Sequence, residues 1–502
     1  MKKIAFAGTD GRTLLSALVT ATAKSDRYPE AFQGVVIRGT PSMPVFCEIM
    51  NWPVEFVETT SNSVKDYTAA IIAALQDKTI DYVMPMPEAL LFEGLVDAVE
   101  QAGFGSQIIG LAQSGAFIEG DKIECKKLCR DAGIPVAAAW AEMDARDYPG
   151  ILSICLNYIH AHGGAVLKYP YSAGGKGARI ILNSWEIRQV YDALIKDYKD
   201  SYKKMYGRKG NWPLLIESLM SGVEISFTIL VDNHGNFQIL PTAMDYPERF
   251  EGPASKRNPI TGGMGAVSPH PLETPQMIDM AGELIARPLI EVMKARGILR
   301  PCVLYPGCFV SLDAAGCPTA IRVSEVNIRP GEPEAQPVIR RLRNFGTLIQ
   351  ATLKGKLNEV EPEVRTDQLA MCAALVTGPG GPDGQKGYPW SCTRGEPVEI
   401  DFKYMKRKGI QVIPSAMMCS AEGNSFLSDG TRVAFLNANV TVKPHENQGE
   451  VAERFRNKLL AAFDNGKIRV TPREDPKGNR LDLRRDIGQH YLEAEKIFHR
   501  LT

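Results

Sequence analysis

The chain has 502 residues, of which 44% are apolar, and this length is typical of about three domains. Lysine and arginine together number 58, as do aspartate and glutamate, so the formal net charge is zero. This balance gives no sign of a nucleic-acid or membrane partner. No apolar run reaches the ~18 residues that a membrane span needs, and the first eight residues indicate a β-strand, not a signal peptide. We expect a cytoplasmic protein whose ten cysteines, including Cys125 and Cys129 on one predicted helix, stay reduced.

The first 118 residues alternate short apolar runs with helical patterns. We predict strands at 3–7, 34–37 and 80–84 and helices at 14–23, 64–76 and 90–101. Strands that alternate with helices in this way are typical of a parallel sheet with crossover helices. The pattern therefore predicts an N-terminal parallel α/β domain.

Two loops fall at the carboxyl edge of that predicted sheet, where open α/β sheets bind their ligands. The first is a glycine turn ahead of a helix, in which Gly11 and Arg12 suit an anion. It lacks the third glycine of a dinucleotide fingerprint, so we do not predict NAD binding. The second loop carries Pro87 and Glu88. An ordinary strand-to-helix turn explains the first loop equally well.

A glycine-rich segment, 169–177, lies between predicted strands at 165–168 and 178–182, after a helix that begins near Lys122. A glycine loop between two strands is a hairpin whose backbone N–H groups can cover phosphates, and Lys168 and Lys176 would complement their charge. It is not a Walker A loop, because Pro170 takes the place of the first glycine and no helix follows. Glycine-rich hairpins without a ligand are also common.

Two carboxylates flank a turn between the next predicted strands, 214–216 and 225–231. Glu217 and Glu224, one at each end of this turn, could together accept one hydrogen bond from an adenine amine and two from ribose hydroxyls. Acidic residues at strand ends are often merely solvated, and that alternative stays open. Further on, 258–265 is too glycine-rich for a regular element, which predicts a loop that something approaches closely. We predict that His234 and His270, which have no partner in the sequence, are structural or surface residues.

The segment 325–334 follows a predicted strand at 319–323. Glu325 and Asn327 are two residues apart, so an extended backbone directs both side chains to one face. A carboxylate and an amide oxygen so placed suit Mg²⁺, which binds one or two carboxylates together with substrate phosphates. The prolines and Gly331 that follow predict a turn that brings Arg329 and Glu334 back toward this metal. A polar strand end running into a turn is the alternative.

The order of these features resembles the ATP-grasp superfamily, in which two α+β lobes clamp ATP. More closely, the chain resembles the glycinamide ribonucleotide synthetase (phosphoribosylamine–glycine ligase) family over most of its length. The matching stretches are 87–89, 95–97, 119–122, 133–135, 173–177, 222–227, 261–265, 268–269, 325–336 and 484–488. Within the superfamily, the runs 261–265 and 325–336 are specific to this family.

The resemblance implies an ATP-dependent carboxylate–amine ligase that makes glycyl phosphate and passes the glycyl group to phosphoribosylamine. ATP would be held by Lys122, Lys168, Gly174, Gly175, Lys176, Gly177, Glu217, Leu219, Glu224 and Asn327. Glu325 and Asn327 would bind Mg²⁺ or Mn²⁺, and Arg329 and Lys176 would be catalytic. The substrates would contact Gly11, Arg12, Pro87, Glu88, Asp245, Thr261, Gly262, Gly263, Met264, Gly265, Arg329, Gly331 and Glu334.

The chain departs from the family pattern on the side of the amine substrate. Thr13 and Leu14 replace a Glu-His pair, Met86 replaces a glycine, and Tyr246 replaces a histidine. These changes leave open a related ligase that uses another amine or acid. A non-catalytic nucleotide-binding protein is a third reading, although it would be expected to lose Glu325 or Arg329.

The predicted architecture is an N-terminal domain at 1–118, an ATP-grasp core at 119–345 with a lid subdomain at about 138–211, and a C-terminal mixed α/β domain at 346–502. In the C-terminal domain we predict strands at 371–376, 411–418 and 433–442. Candidate insertions are 197–212 and part of the region after residue 379. We expect a monomer or small homo-oligomer that binds small molecules, not nucleic acid.

Overall fold

The structure, a computed structural model, describes residues 1–171, 177–255, 257–378, 387–420 and 425–491. These residues form five β-sheets, one of which belongs to the lid, and helices pack against each sheet. None of the helices in the described part of the chain is long and apolar enough to span a bilayer.

The N-terminal region forms a four-stranded parallel sheet in the order β3-β2-β1-β4, which confirms the predicted sheet. The apolar residues of its two central strands are buried by helices on both faces, as parallel sheets require. The strands are β1 (Lys2–Gly8), β2 (Phe32–Arg38), β3 (Val54–Val57) and β4 (Tyr82–Pro85). The helices are α1 (Gly11–Thr22), α2 (Ser42–Met50), α3 (Val64–Gln76), α4 (Glu88–Phe92) and α5 (Leu95–Gln101).

The predicted helix at 90–101 is wrong as a single element. It breaks into α4 and α5 because Gly94 takes a φ of +81°, a conformation that interrupts the helical hydrogen bonds. Element β3 and helix α2 were not predicted. With four and nine residues respectively, they are too short for a hydrophobic period to be recognised.

The next region contains a small antiparallel lid sheet in the order β5-β8-β6-β7, with helices α8 and α9 packed on it. The predicted lid range stops short of the central strand β8. The helices are α6 (Phe117–Gly120), α7 (Lys122–Asp131), α8 (Tyr148–His162) and α9 (Ile187–Tyr206). The strands are β5 (Trp140–Asp144), β6 (Ala165–Lys168), β7 (Ala178–Ile181) and β8 (Pro213–Ser218).

A second antiparallel sheet, in the order β11-β10-β14-β15 with β9 also on β14, forms the floor of the cleft. Its strands are β9 (Val223–Ser226), β10 (Ile229–Val231), β11 (Phe237–Ile239), β14 (Cys302–Leu312) and β15 (Pro318–Asn327). The short strands β12 (Met244–Asp245) and β13 (Gly265–Ser268) lie between them in sequence. One long helix backs the floor, as α10 (Pro275–Ala281), a π-helical turn (Gly282–Ala286) and α11 (Arg287–Ala295).

The predicted strand at 225–231 is interrupted, since β9 and β10 pair with different stretches of β14. Glu224 therefore lies inside β9 and does not begin a strand. The predicted loop at 258–265 ends one residue earlier, because Gly265 is the first residue of β13 and pairs there with Ala373 of the neighbouring strand.

The C-terminal region adds strands to β12 and β13 in a sheet of order β12-β13-β16-β21-β18, and builds a further sheet of order β19-β20-β17-β22. The predicted strand at 411–418 is wrong, because β18 and β19 belong to different sheets. The helices are α12 (Ala335–Arg340), α13 (Phe345–Lys354), α14 (Phe402–Lys408) and α15 (Gln448–Asp464). The strands are β16 (Gln368–Thr377), β17 (Pro397–Ile400), β18 (Gln411–Pro414), β19 (Met417–Cys419), β20 (Phe426–Ser428), β21 (Arg432–Thr441), β22 (Ile468–Val470) and β23 (Leu481–Asp482).

Candidate active site

A buried group of two lysines and one glutamate, which we call the lysine–glutamate group, joins the lid sheet to the cleft floor. Glu217 on β8 is fully buried, and its two carboxylate oxygens lie 2.7 Å from Lys126 Nζ and 2.5 Å from Lys168 Nζ. Lys168 Nζ also donates to Ser324 Oγ on β15 at 3.2 Å. Burial alone would raise the pKa of Glu217, but the two ammonium groups outweigh it and lower that pKa. The carboxylate is therefore ionised and shared by two cations.

This geometry gives Glu217 a role that the sequence did not indicate. Its carboxylate is occupied by Lys126 and Lys168, so the predicted hydrogen bond from an adenine amine to that carboxylate is not supported by the geometry. Lys126 was missed altogether, although it lies four residues after Lys122 and so on the same face of helix α7.

The face of the floor that lies under the lid carries Glu325 and Asn327, the two predicted metal-binding side chains, which we call the metal pair. Glu325 pairs with Gly307 and Asn327 with Tyr305 across β14 and β15, so both side chains leave the same face, as predicted. On the other side of β14, Ser226 pairs with the same Gly307 and Glu224 with Phe309. A glycine between these polar side chains leaves the space above the strand open.

Glu224, Glu325 and Asn327 are available to a ligand, because solvent reaches the two carboxylates and the contacts of Asn327 Nδ2 are long, at 3.4 Å to Glu325 Oε1 and 3.4 Å to Tyr305 O. Although solvent reaches it, Glu325 is surrounded by the walls of the cleft, and this desolvation raises its pKa; Lys122 and Lys168 outweigh that effect and lower the pKa. Burial and then Glu325 raise the pKa of Glu224 to about 7. A carboxylate and an amide oxygen on one face fit Mg²⁺ or Mn²⁺, which take their remaining ligands from phosphate and water.

Lys122 is the first residue of α7, where Asp121 caps the helix by accepting hydrogen bonds from Ile123 N at 2.9 Å and Glu124 N at 3.2 Å. The backbone N–H of Lys122 donates to Pro170 O at 2.8 Å, which fixes the helix start against the stem of the glycine hairpin. The stem itself is the antiparallel pair β6–β7, in which Lys168 lies opposite Ala178. Lys122 is therefore placed between the hairpin stem and the metal pair.

Arg329 connects the metal pair to the N-terminal sheet. Its Nε donates to Glu88 Oε2 at 3.1 Å, and its second terminal nitrogen lies 3.3 Å from Glu119 Oε1. Glu119 Oε2 accepts a hydrogen bond from the backbone N–H of Ile328 at 2.9 Å, so it positions both neighbours. Burial raises the pKa of Glu119, whereas at Glu88 the Arg329 guanidinium outweighs burial and lowers the pKa. The sequence analysis placed Glu119 in a stretch that matches the family but predicted no role for it. The structure places it in the site, where it contacts both Arg329 and the backbone of Ile328.

Arg12 is 4% exposed and bound within the protein. Its Nε donates to Asp10 Oδ2 at 2.8 Å, a terminal nitrogen donates to Pro330 O, and its backbone N–H donates to Glu332 Oε2 at 3.0 Å. Burial and then Asp10 raise the pKa of Glu332 to about 7. The predicted anion loop therefore lies beside the turn at 329–334, with its guanidinium held by carboxylates.

The turn after Arg329 is packed against the predicted glycine loop. A side chain at Gly263, where φ is +96°, would overlap Pro333, and a Cβ at Gly331 would lie 2.8 Å from Glu334 Oε2. Glu334 Oε1 accepts from Tyr305 OH at 2.7 Å, and burial followed by Glu334 raises the pKa of Asp245 well above its usual range. The close approach predicted for this loop is made by the protein's own turn.

The remaining predicted residues support this arrangement through backbone contacts. Thr261 N and Oγ1 donate to Pro247 O, Gly262 N donates to Tyr388 OH at 2.9 Å, and Leu219 N donates to Gly164 O at 3.0 Å. Met264 is fully buried, Gly177 O accepts from Tyr169 N, and Pro87 precedes helix α4. Gly174, Gly175 and Lys176 lie outside the described residues.

A cavity of about 380 Å³ opens beside Glu224 and Asp245. The loop after β12 and the C-terminal segment close it, with Arg484 bound to Glu248 Oε2 at 3.0 Å and bidentately to Asp486 at 2.6 and 2.8 Å. His270 lies behind this wall, buried, with its Nδ1 accepting from Leu272 N; burial lowers its pKa to about 3. His270 is structural, as predicted.

Comparison with known proteins gives the family. Residues 120–335 match the model of the phosphoribosylglycinamide synthetase ATP-grasp (A) domain. A phosphoribosylamine–glycine ligase of Allochromatium vinosum is 30% identical over 88% of this chain and 93% of its own, and one of Caldanaerobacter subterraneus is 29% identical over 84% and 88%. The chain belongs to the phosphoribosylamine–glycine ligase family.

Solved structures agree on the fold of this phosphoribosylamine–glycine ligase family member. The ligase from Thermotoga maritima has a TM-score of 0.67 at 20% identity, with 97% of this chain and all of that chain covered. A biotin carboxylase domain from Hydrogenobacter thermophilus, solved with MgADP, has a TM-score of 0.59 at 15% identity, with 99% and 98% covered. These likenesses show the predicted ATP-grasp fold. The family membership shows that the chain is an ATP-grasp ligase.

Proposed function

We propose that this protein joins glycine to phosphoribosylamine at the expense of ATP, giving glycinamide ribonucleotide, ADP and phosphate in purine biosynthesis. One observation carries the proposal: the open pair Glu325 and Asn327 lies between the buried cation Lys168 and the guanidinium of Arg329. A triphosphate and a transferring phosphoryl group need this alternation of cation, metal ligands and cation.

ATP would lie along the floor between Glu224 and Arg329. Glu224 would accept hydrogen bonds from the ribose, and Lys122 and Lys168 would pair with phosphate oxygens. Glu325 and Asn327 would hold Mg²⁺ or Mn²⁺, which when bound neutralises charge on the β- and γ-phosphates. Family membership and the hard-oxygen donor set support this placement.

The acid substrate would lie beyond the γ-phosphate, near Arg329, Asp245 and Glu334. One carboxylate oxygen of glycine attacks the γ-phosphorus, and the bond from that phosphorus to the bridging oxygen breaks, which gives glycyl phosphate and ADP. The amine of phosphoribosylamine then attacks the carbonyl carbon, and phosphate leaves as the amine loses a proton. Arg329 supplies a planar fork for the transferring group, and the role of the protein is positioning and charge stabilisation.

We further propose that the enzyme works in the cytoplasm on small molecules, as a monomer or small homo-oligomer. All ten cysteines are free thiols, which suits a reducing compartment.

The test is ADP release by the purified protein with Mg²⁺·ATP, glycine and freshly generated phosphoribosylamine, beside controls that each omit one substrate. We expect turnover that needs all three. The variant Lys168→Met should lose it, while Lys199→Met on the exposed face of α9 should not.

A ligase of the same family that uses another amine is the second candidate. The pairing of Arg12 with Asp10 and Glu332 favours it, because a sugar phosphate bound at this loop would have to displace carboxylates. ADP release that depends on ATP and glycine but is indifferent to phosphoribosylamine would select this candidate, and a panel of amines would follow.

A further inference from the structure

The lysine–glutamate group carries more positive than negative charge. Lys126 and Lys168 share the single carboxylate of Glu217, so the three side chains have a net charge of +1 inside the wall of the cleft. All three are at least nine-tenths buried. An excess charge so placed is costly unless it serves an anion.

The two lysines differ in what they can reach. Each ammonium group has two partners inside the protein: Lys126 Nζ has Glu217 Oε1 at 2.7 Å and Val323 O at 2.9 Å, and Lys168 Nζ has Glu217 Oε2 and Ser324 Oγ. The difference is in what surrounds them. Lys168 Nζ lies near the cleft floor, where it bonds Ser324 and its charge acts on Glu325 and Glu224. An anion in the cleft therefore meets Lys168 and not Lys126.

We propose that Lys126 is a positioning residue of the ATP site: it balances Glu217 so that Lys168 keeps an uncompensated charge for phosphate, and it fixes the carboxylate that orients Lys168. Without Lys126, Glu217 and Lys168 form a neutral pair, and the attraction for a triphosphate falls. The inference rests on the proposed function, because it concerns how ATP is held.

The chain offers a matched control one residue away. Lys127 lies on the same helix but on its exposed side, where it pairs with Glu124 at 2.9 Å and Glu142 at 3.0 Å. Lys126→Met and Lys127→Met remove the same charge from neighbouring positions. Surface pairs contribute little, so Lys127→Met should bind ATP as the wild type does.

The test is calorimetric titration of the full-length protein and its variants with Mg²⁺·ATP, with ADP release measured in parallel. We expect Lys126→Met to weaken ATP binding about 10- to 100-fold, the range for partners that orient a ligand-holding side chain. The decisive variant is Lys126→Met/Glu217→Gln. This double variant changes two buried side chains instead of one, but it leaves Lys168 with its full charge. Its affinity for Mg²⁺·ATP should therefore return to within a few-fold of the wild type.

A purely structural role for Lys126 predicts the opposite order, with the double variant at least as impaired as the single one. That order, or a Lys126→Met variant that binds ATP as Lys127→Met does, would overturn the inference. Should Lys126→Met fail to fold, the double variant decides alone: near-wild-type affinity supports the inference, and a loss as large as that of Lys168→Met contradicts it. A wild-type protein that binds no ATP would overturn the proposed function itself.

Discussion

The two walls of the cleft differ in whether their charged side chains already have partners within the protein. On the ATP side, Glu224, Glu325 and Asn327 stand open to solvent with a single weak contact between them. On the wall proposed for the acid and amine substrates, Arg12 and Arg329 are already paired with carboxylates of the protein. The first wall is ready for a ligand, whereas a ligand on the second wall has to exchange partners with an existing ion pair.

This difference follows from what each wall recognises. A metal ion brings its own charge, so open carboxylates are compensated only when it binds. A guanidinium left unpaired in a buried turn would be expensive, so the resting protein satisfies Arg12 and Arg329 internally. We therefore expect substitutions in the open wall to affect chemistry most. Substitutions in the paired wall should affect binding and stability, except at Arg329, which in the proposed function also contacts the transferring group.

The largest effect is expected from Glu325→Gln. It keeps the shape of the side chain but removes the charge that would hold the divalent cation. We expect kcat to fall about 10³-fold, since a metal ion contributes several kcal/mol to transition-state stabilisation, and the activating Mg²⁺ concentration to rise. The measurement is ADP release against Mg²⁺ concentration. Glu291→Gln on the surface of α11, where Glu291 pairs with Lys294, is the control; equal activity of both variants would remove Glu325 from the metal site.

Arg329→Lys is expected to have the next largest effect. A lysine keeps the charge but cannot contact Glu88 and Glu119 and still present a planar fork to the reacting group. We expect kcat/KM to fall about 10²-fold, mostly through kcat. Steady-state kinetics with each substrate varied in turn measure it, beside Arg287→Lys, whose arginine forms an exposed pair with Glu283. A change confined to KM would show that Arg329 only binds substrate.

The open wall could be predicted from the sequence, because its information is local. Glu325 and Asn327 are two residues apart on one strand, and alternation alone places them on one face. The order of Lys122, Lys168, the glycine hairpin, the two carboxylates and Glu325 along the chain gave the superfamily resemblance, and continuous stretches such as 261–265 and 325–336 gave the family. The same local signals predicted the parallel sheet and the hairpin stem.

The paired wall could not be predicted, because its partners are far apart in sequence. Glu88 and Arg329 are separated by 241 residues, and Arg12 and Glu332 by 320. Lys126 was missed for a related reason: a lysine on a helix is usually solvated, and only the arrival of Glu217 from β8 makes this one buried. Breaks at Gly94 and between β9 and β10 also depend on packing and pairing outside the local pattern.

Glu88→Gln tests the link between the two walls. The neutral amide still reaches Arg329 but loses the ionic part of the contact, which is worth about 1 kcal/mol more than a neutral hydrogen bond. We expect kcat/KM for the amine substrate to fall roughly tenfold, with ATP binding unchanged. Glu93 is the exposed C-cap residue of the same helix, and Glu93→Gln should leave both kcat/KM and ATP binding unchanged. Weaker ATP binding in Glu88→Gln would show that the walls are not separable.

The last expected effect is the pH dependence of stability at Glu332. Burial and Asp10 raise its pKa from 4.5 to about 7, so the folded protein holds a proton that the unfolded chain has lost between these pH values. The sign follows: this contribution to stability is complete below pH 4.5 and is lost as pH rises through about 7. Glu332→Gln should therefore flatten the decline in the free energy of unfolding between pH 5.5 and 8, by roughly 2 kcal/mol at the upper end. Glu359→Gln, from an exposed pair with Lys356, should keep the wild-type slope.

The contradicting outcome is a Glu332→Gln variant that is less stable than the wild type at pH 8. It would mean that the ionised carboxylate stabilises the protein through Arg12 by more than the burial of its charge costs. The paired wall would then be a stabilising element of the fold.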